Sequence, residues 1–145
     1  MNKYFVIFEQ ALALKELGFD EPCLAYYPKE CSYHKYYNTP LHEIIFVWSM
    51  IEGVPIKNND DLESVLFTVP LYSQAFDWFR NNYSLDISIH RSWAMDNSYY
   101  YIIIQNMDYN KITQQESIPN RSHVQAELEC LDEIIKIATK EKLSK

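Results

Sequence analysis

Only two glycines, Gly18 and Gly53, occur in this chain of 145 residues. A loop that cradles phosphate needs glycine so that its backbone can close on the ligand, and two isolated glycines build no such loop. The dinucleotide fingerprint and the Walker-type loop are both excluded. Cysteine is scarce as well. Cys23, Cys31 and Cys130 form no even framework of the kind that staples small secreted domains. No apolar run approaches the ~20 residues that span a bilayer. The longest, Ile44 to Ile51, is interrupted by Ser49. The early Tyr-Phe-Val-Ile-Phe stretch is too short for a secretory signal and lacks a cleavage site. Cationic residues are few: 13 Lys and Arg against 20 Asp and Glu leave a net charge of −7. That balance disfavours a protein that gains affinity by neutralising phosphates. A soluble protein of a reducing cytoplasm is the expectation.

Large apolar side chains are what the chain has in supply. Apolar residues make up 48% of it, too many for a disordered chain. At this length folding buries roughly 70% of the surface the unfolded chain exposes, enough for one domain over residues 1–145.

Periodicity places three helices. Ile7, Ala11, Leu14 and Leu17 recur at helical spacing, which predicts a first helix from about Lys3 or Tyr4 to Leu17. Gly18 supplies the left-handed residue that ends it, and Phe19 follows where a Schellman ending folds an apolar side chain back onto Leu14. After the Asp20-Glu21-Pro22 turn, Cys23 to Tyr27 reads as a short strand. His42 to Met50 is β-branched and aromatic and reads as a strand, with helix the competing reading because so short a run does not separate the two by period. Leu62 to Val69 adds a further short strand. Pro70 to Leu85 is the most informative stretch, a proline-started amphipathic helix from about Leu71. Its Leu71, Ala75, Phe79 and Tyr83 lie four apart, and Tyr72 and Phe76 widen the stripe. It hands directly into strands over Asp86–Trp93 and Ser98–Gln105, with Met95-Asp96-Asn97 as the hairpin loop and an edge segment near Ile112. The last helix starts at Ser122 as N-cap, with Gln125 completing a capping box. Val124, Leu128, Leu131, Ile135 and Ala138 form its stripe, which Ile134 and Ile137 broaden. The expected fold is α+β: an antiparallel sheet of about four to five strands covered by three helices, in the order α-β-β-(β)-α-β-β-α.

Gln-Ala recurs at Gln10-Ala11, Gln74-Ala75 and Gln125-Ala126. The three pairs are read as sitting at different points of their helices, hence as convergence on residues that suit helix starts rather than duplication.

Three blocks carry a resemblance: residues 8–23 (Phe-Glu-Gln-Ala-Leu-Ala-Leu-Lys-Glu-Leu-Gly-Phe-Asp-Glu-Pro-Cys), 70–80 (Pro-Leu-Tyr-Ser-Gln-Ala-Phe-Asp-Trp-Phe-Arg) and 125–131 (Gln-Ala-Glu-Leu-Glu-Cys-Leu). In order and separation they resemble an uncharacterised small protein family of Bacteroidota and their phages and prophages. The resemblance implies a context, an accessory gene product made inside a bacterial cell, and no activity. The stretch between Cys31 and Leu66 and the hairpin tip are particular to this chain.

Candidate chemistry is sparse. Cys23, Cys31, His34 and His42 are the one soft-ligand cluster, but their spacings of seven, two and seven intervening residues leave only Cys31 and His34 as an ordinary zinc knuckle. Cys130 lies mid-helix beside the apolar stripe, as a packed thiol would. Asp86 and His90 point to one face of a strand roughly 13 Å apart, too far to hydrogen-bond as orienter and base. Asp60, Asp61 and Glu63 lack the ladder and glycine of a calcium loop, and Lys136, Lys140, Lys142 and Lys145 read as a cationic helix end.

No metal, cofactor or catalytic set is therefore predicted. Twelve tyrosines and three tryptophans remain, residues that anchor protein interfaces through a buried ring and a bonded polar tip. Tyr26, Tyr27, Tyr33, Tyr36 and Tyr37 are the candidate interface, against the alternative that they simply pack over the sheet. The expectation is a non-enzymatic protein-binding module with a protein partner and no nucleic-acid or membrane partner. The alternatives are a small enzyme assembled from His34, His42, Asp86 and His90, and, ranked lowest, an acidic mimic of nucleic acid.

Overall fold

The computed structural model describes residues 2–28, 45–46, 65–92, 98–106, 112–116 and 122–144. They contain a short 3-10 turn (Asn2–Tyr4), α1 (Phe8–Leu17), β1 (Ala25–Pro28), β2 (Ile45–Phe46), β3 (Val65–Thr68), α2 (Tyr72–Tyr83), β4 (Leu85–Arg91), β5 (Tyr99–Asn106), β6 (Ile112–Glu116) and α3 (His123–Leu143). The class is α+β with three helices. Where one sheet is expected, the described strands form two small antiparallel sheets, ordered β2-β1-β3 and β4-β5-β6. The chain divides into two compact units, Met1–Leu71 and Tyr72–Lys145, which are taken in turn.

In the first unit β1 is the central strand, with Ala25 opposite Phe46 on one side and Tyr27 opposite Phe67 on the other. The β1–β3 register shifts between Tyr27 and Pro28, where proline has no N–H to donate to a ladder. Before α1 the chain runs antiparallel to residues 70–71, Phe5 bridging Leu71 and the Val6 amide donating to the Pro70 carbonyl at 3.1 Å.

Helix α1 starts later than the periodicity predicts. Ile7 is its extended N-cap, gives no side-chain cap and stays exposed, while Ala11 and Leu14 go to the core and Leu17 is half-buried. Its far end is the Schellman motif foreseen. Gly18 adopts φ 102°, its N–H donates to Lys15, and the Phe19 N–H donates to Leu14 at 2.9 Å; both Phe19 and Leu14 are buried. A Cβ on Gly18 would meet nothing within 4 Å, so Gly18→Ala is expected to cost only the left-handed backbone penalty, about 1–2 kcal/mol, measurable by urea unfolding.

In the second unit α2 leads into a hairpin. Tyr72, Ala75, Phe76, Trp78 and Phe79 are buried, so the core face includes Trp78, which the four-residue spacing passed over, and leaves Leu71 and Tyr83 half-buried. Ser84 joins helix to strand at φ 52°, a left-handed position without glycine. Ser84→Gly is expected to raise stability by about 0.5–1 kcal/mol in the same assay, relief of strain outweighing the added freedom of the unfolded chain. β4 pairs β5 from Leu85 opposite Gln105 to Arg91 opposite Tyr99, and β5 pairs β6 from Ile102 opposite Glu116 to Asn106 opposite Ile112.

Ser122 caps α3, its hydroxyl accepting from the Gln125 N–H at 3.3 Å. The reciprocal half of the box is diverted: the Gln125 side chain donates to Glu129 Oε1 at 3.2 Å instead. The buried face is Ala126, Cys130, Leu131, Ile134 and Ala138. Val124 is exposed and Leu128, Ile135 and Ile137 are half-buried, so the stripe is rotated from the one expected.

The Gln-Ala recurrence also needs correcting. Each glutamine is the third residue of its helix and each alanine the fourth, and all three alanines are buried. The third position is where a glutamine reaches a helix start. Shared position does not make a duplication, because the central strand is the first of its unit in one sheet and the second in the other.

Candidate functional site

The first candidate, Cys23 with Cys31, His34 and His42, is described only at Cys23; the other three lie outside the described residues, as do Asp60, Asp61 and Glu63. Cys23 is buried beside β1, its thiol 3.4 Å from the Glu21 carbonyl oxygen. Burial pushes it up from 9.0 to about 11, and a hydrogen bond with Thr68 opposes this more weakly. Among the described residues no three His, Cys, Asp or Glu side chains gather as a metal site would require.

Cys130 is buried within the core face of α3 rather than beside it. Burial pushes its thiol to about 12, Arg80 acting in the opposite direction and Glu127 and Glu133 adding to the rise. A thiol held neutral in this way is a packing group and a poor nucleophile.

Asp86 and His90 share a face of β4, as alternation demands, yet each has its own partner. Asp86 Oδ1 is 3.7 Å from Nε of Arg80, which also bonds Asp77. The exposed His90 has Nε2 at 2.9 Å from the Ser88 hydroxyl and its ring stacks on Tyr100, with centroids 5.3 Å apart. This pair does not assemble as base and orienter.

Of the tyrosines proposed for an interface, Tyr33, Tyr36 and Tyr37 lie outside the described residues. Tyr26 is half-buried. Tyr27 is buried, its ring edge-on to Phe8 at 4.9 Å and Phe67 at 5.3 Å, with Phe8 and Phe67 themselves 5.1 Å apart. This aromatic trio fastens α1 onto β1 and β3, and it removes Tyr27 from any free surface.

A second tyrosine group, not singled out from the sequence, stands on β5. Tyr99 sets its ring edge-on to His123 of α3 at 5.2 Å. Burial pushes the Tyr101 hydroxyl above its ordinary value, and Cys130, Glu133, Glu129 and Asp132 of α3 add to it. Both therefore face α3, with the buried Ile103 on the same side. Strand alternation turns Tyr100, Ile102 and Ile104 to the opposite side, where all three are half-buried. Opposite them in register stand His90, Ser88 and Asp86. The run Tyr-Tyr-Tyr-Ile-Ile-Ile was the signal: a strand apolar on both faces has more to cover than one helix layer reaches.

At the other end of the polar range, His123 Nδ1 lies 3.3 Å from Glu127 Oε2 and Lys136 Nζ 3.2 Å from Glu133 Oε2. Lys140 and Lys142 occupy the last turn of α3, where cations favour the helix dipole. Comparison with protein-family models, with curated proteins and with solved structures finds no match to this chain.

Proposed function

We propose that this chain is a non-enzymatic protein-binding module, an accessory product of a phage or prophage that acts in the bacterial cytoplasm. The observation that supports the reading is the β4–β5 face turned away from α3. Tyr100, Ile102 and Ile104 form a half-buried row there, and the His90 ring already lies flat on Tyr100. Rigid aromatic and β-branched side chains give contact area at small cost in conformational freedom, as interface anchors do. Asp86 borders the row in a chain of net charge −7, so the partner that fits presents an apolar patch with basic groups beside it. Among the described residues the Cys23 and Cys130 thiols and the His90–Asp86 pair lend no support to a hydrolytic or redox reading, since each is engaged in packing or in local bonds. Among the described residues no helix is long and apolar enough to cross a membrane, which is compatible with the proposed location.

The test compares wild type with Tyr100→Asp and Ile102→Glu as immobilised baits in a bacterial lysate, each first checked for wild-type circular dichroism. A partner captured by wild type is expected to fall by about tenfold or more on both variants, as loss of a central anchor does. Equal capture by all three, or capture by none, overturns the reading.

A further inference from the structure

We propose that β4 pairs with β4 of a second copy of this chain, antiparallel and about a twofold axis through Ser88. The inference uses the edge of the sheet rather than its face, and so goes beyond the reading above and does not depend on it.

Among the described residues β4 is bonded to a neighbour on one side only. Which of its backbone groups point off the sheet follows from two independent contacts. The Ser92 N–H donates to the Ser98 carbonyl at 2.9 Å, one step beyond the Arg91–Tyr99 pair, so the even-numbered residues of β4 bond to β5. Bonded and non-bonded pairs alternate along an antiparallel ladder, which turns the N–H and C=O groups of the odd-numbered residues outward. The second contact agrees: Arg80 Nη2, which comes from α2, donates to the Ile87 carbonyl at 2.7 Å. The same guanidinium also bonds Asp77 and lies near Asp86, so it rests against this edge, and a strand added here displaces it from the Ile87 carbonyl.

An added strand must therefore place odd residues opposite odd residues. For a second copy of β4 that permits twofold axes through Ile87, Ser88 or Ile89 and forbids axes between residues. The sequence chooses among them. Asp86-Ile87-Ser88-Ile89-His90 reads symmetrically about its serine. With the axis there, Ile87 meets Ile89 in bonded pairs and Asp86 meets His90 twice, in the closer non-bonded pairs. Axes through Ile87 or Ile89 would set serine against the aspartate or the histidine and lose that complementarity. An imidazole N–H set opposite a carboxylate can donate to it, whereas like charges in these positions oppose pairing. His90 is also held in advance, by the Ser88 hydroxyl and the Tyr100 ring, which lowers the ordering cost of association. Isologous contact of this kind closes on itself and leaves a dimer rather than a fibre.

The test is sedimentation velocity on purified protein over a wide concentration range. Wild type is expected to associate reversibly. His90→Asp, at an exposed site, sets two like-charge pairs across the axis and is expected to weaken association by about tenfold or more. The exchange of Asp86→His with His90→Asp restores the facing pairs while giving up the Arg80 contact of Asp86, and is expected to associate more tightly than His90→Asp alone. Ser88→Cys is expected to give a disulfide-linked dimer on mild oxidation, because a residue on the axis meets itself at about 4.5 Å between Cα atoms. Peptide mapping against equally oxidised wild type separates that bond from the native thiols. A wild type that stays a single species at every concentration overturns the proposal, and so does association indifferent to His90→Asp. An exchange variant that associates no more tightly than His90→Asp alone, or failure of Ser88→Cys to cross-link, overturns it equally.

Discussion

Phe79→Ala is expected to lower stability by about 3–5 kcal/mol, the range for emptying an aromatic site in a packed core. Phe79 is fully buried on α2, its ring edge-on to Trp78 at 5.0 Å and tilted against Tyr83 at 5.6 Å. Trp78 and Tyr83 also touch each other, at 5.4 Å between centroids, so the two rings that remain keep each other as a neighbour when Phe79 is removed. A cavity that does not collapse sets the cost near the upper end of the range. Phe79→Leu keeps most of the volume and is expected to cost about 1.5 kcal/mol or less. Urea unfolding followed by far-ultraviolet circular dichroism compares the two. Equal losses from both substitutions would mean that the site is loosely packed.

A steep decline of stability above pH 9 is the second large expectation. Cys23 and Cys130 both ionise later in the folded chain than in the unfolded one, from 9.0 to about 11 and about 12, in each case chiefly because burial disfavours the thiolate. Above pH 9 the unfolded chain thus binds fewer protons than the folded one, and stability falls as pH rises. The contribution is complete below pH 9 and is lost as pH climbs through 11 and 12. Each thiol accounts for a slope of about 1.4 kcal/mol per pH unit once its unfolded form is ionised. Tyr27 and Tyr101, also raised above 10.0 chiefly by burial, add to the decline beyond that pH. Urea midpoints from pH 8 to 10.5 for wild type and for Cys23→Ala with Cys130→Ala check this. The double variant starts lower, having lost two packed sulfur atoms, but is expected to fall less steeply between pH 9 and 10. Parallel slopes would show that the thiols do not drive the decline.

Local rules were legible in the sequence; pairing and facing were less so. Gly18 with Phe19 and Ser122 as N-cap are signals confined to a few neighbouring residues, and both form, although Gln125 turns its side chain to Glu129 and leaves the capping box half made. The β4–β5 hairpin was equally readable, because its two strands are adjacent in the chain, β4 alternates cleanly and β5 is a run of aromatic and β-branched residues. Division of the strands into two sheets was not, since β1 pairs with residues about 20 and about 40 positions away and nothing local encodes that choice. The α3 stripe was rotated because hydropathy ranks Val124 above Ala126 and Cys130, whereas a close helix–sheet contact selects the smaller side chains. Asp86 and His90 were placed on one face correctly. What stayed hidden was the partner of Asp86, an arginine from the preceding helix that also reaches a strand carbonyl. The tyrosines of β5 carry no mark in the sequence of which face each takes; only the position of α3 separates those it covers from those it leaves half-buried on the other side.

The unequal ends of α1 bear on how that segment comes apart. Its C-terminal amides and carbonyls are closed by Gly18 and Phe19, whereas Ile7 offers its first turn no side-chain acceptor. That end is held by the Phe8 ring and the pairing of residues 5–6 with 70–71 rather than by a cap, so fraying is expected to run from Phe8 inward, like a rope whipped at one end only. Because Phe8 also carries the ring against Tyr27 and Phe67, the first turn to loosen takes with it the helix's grip on the sheet, and opening of this unit begins at that corner.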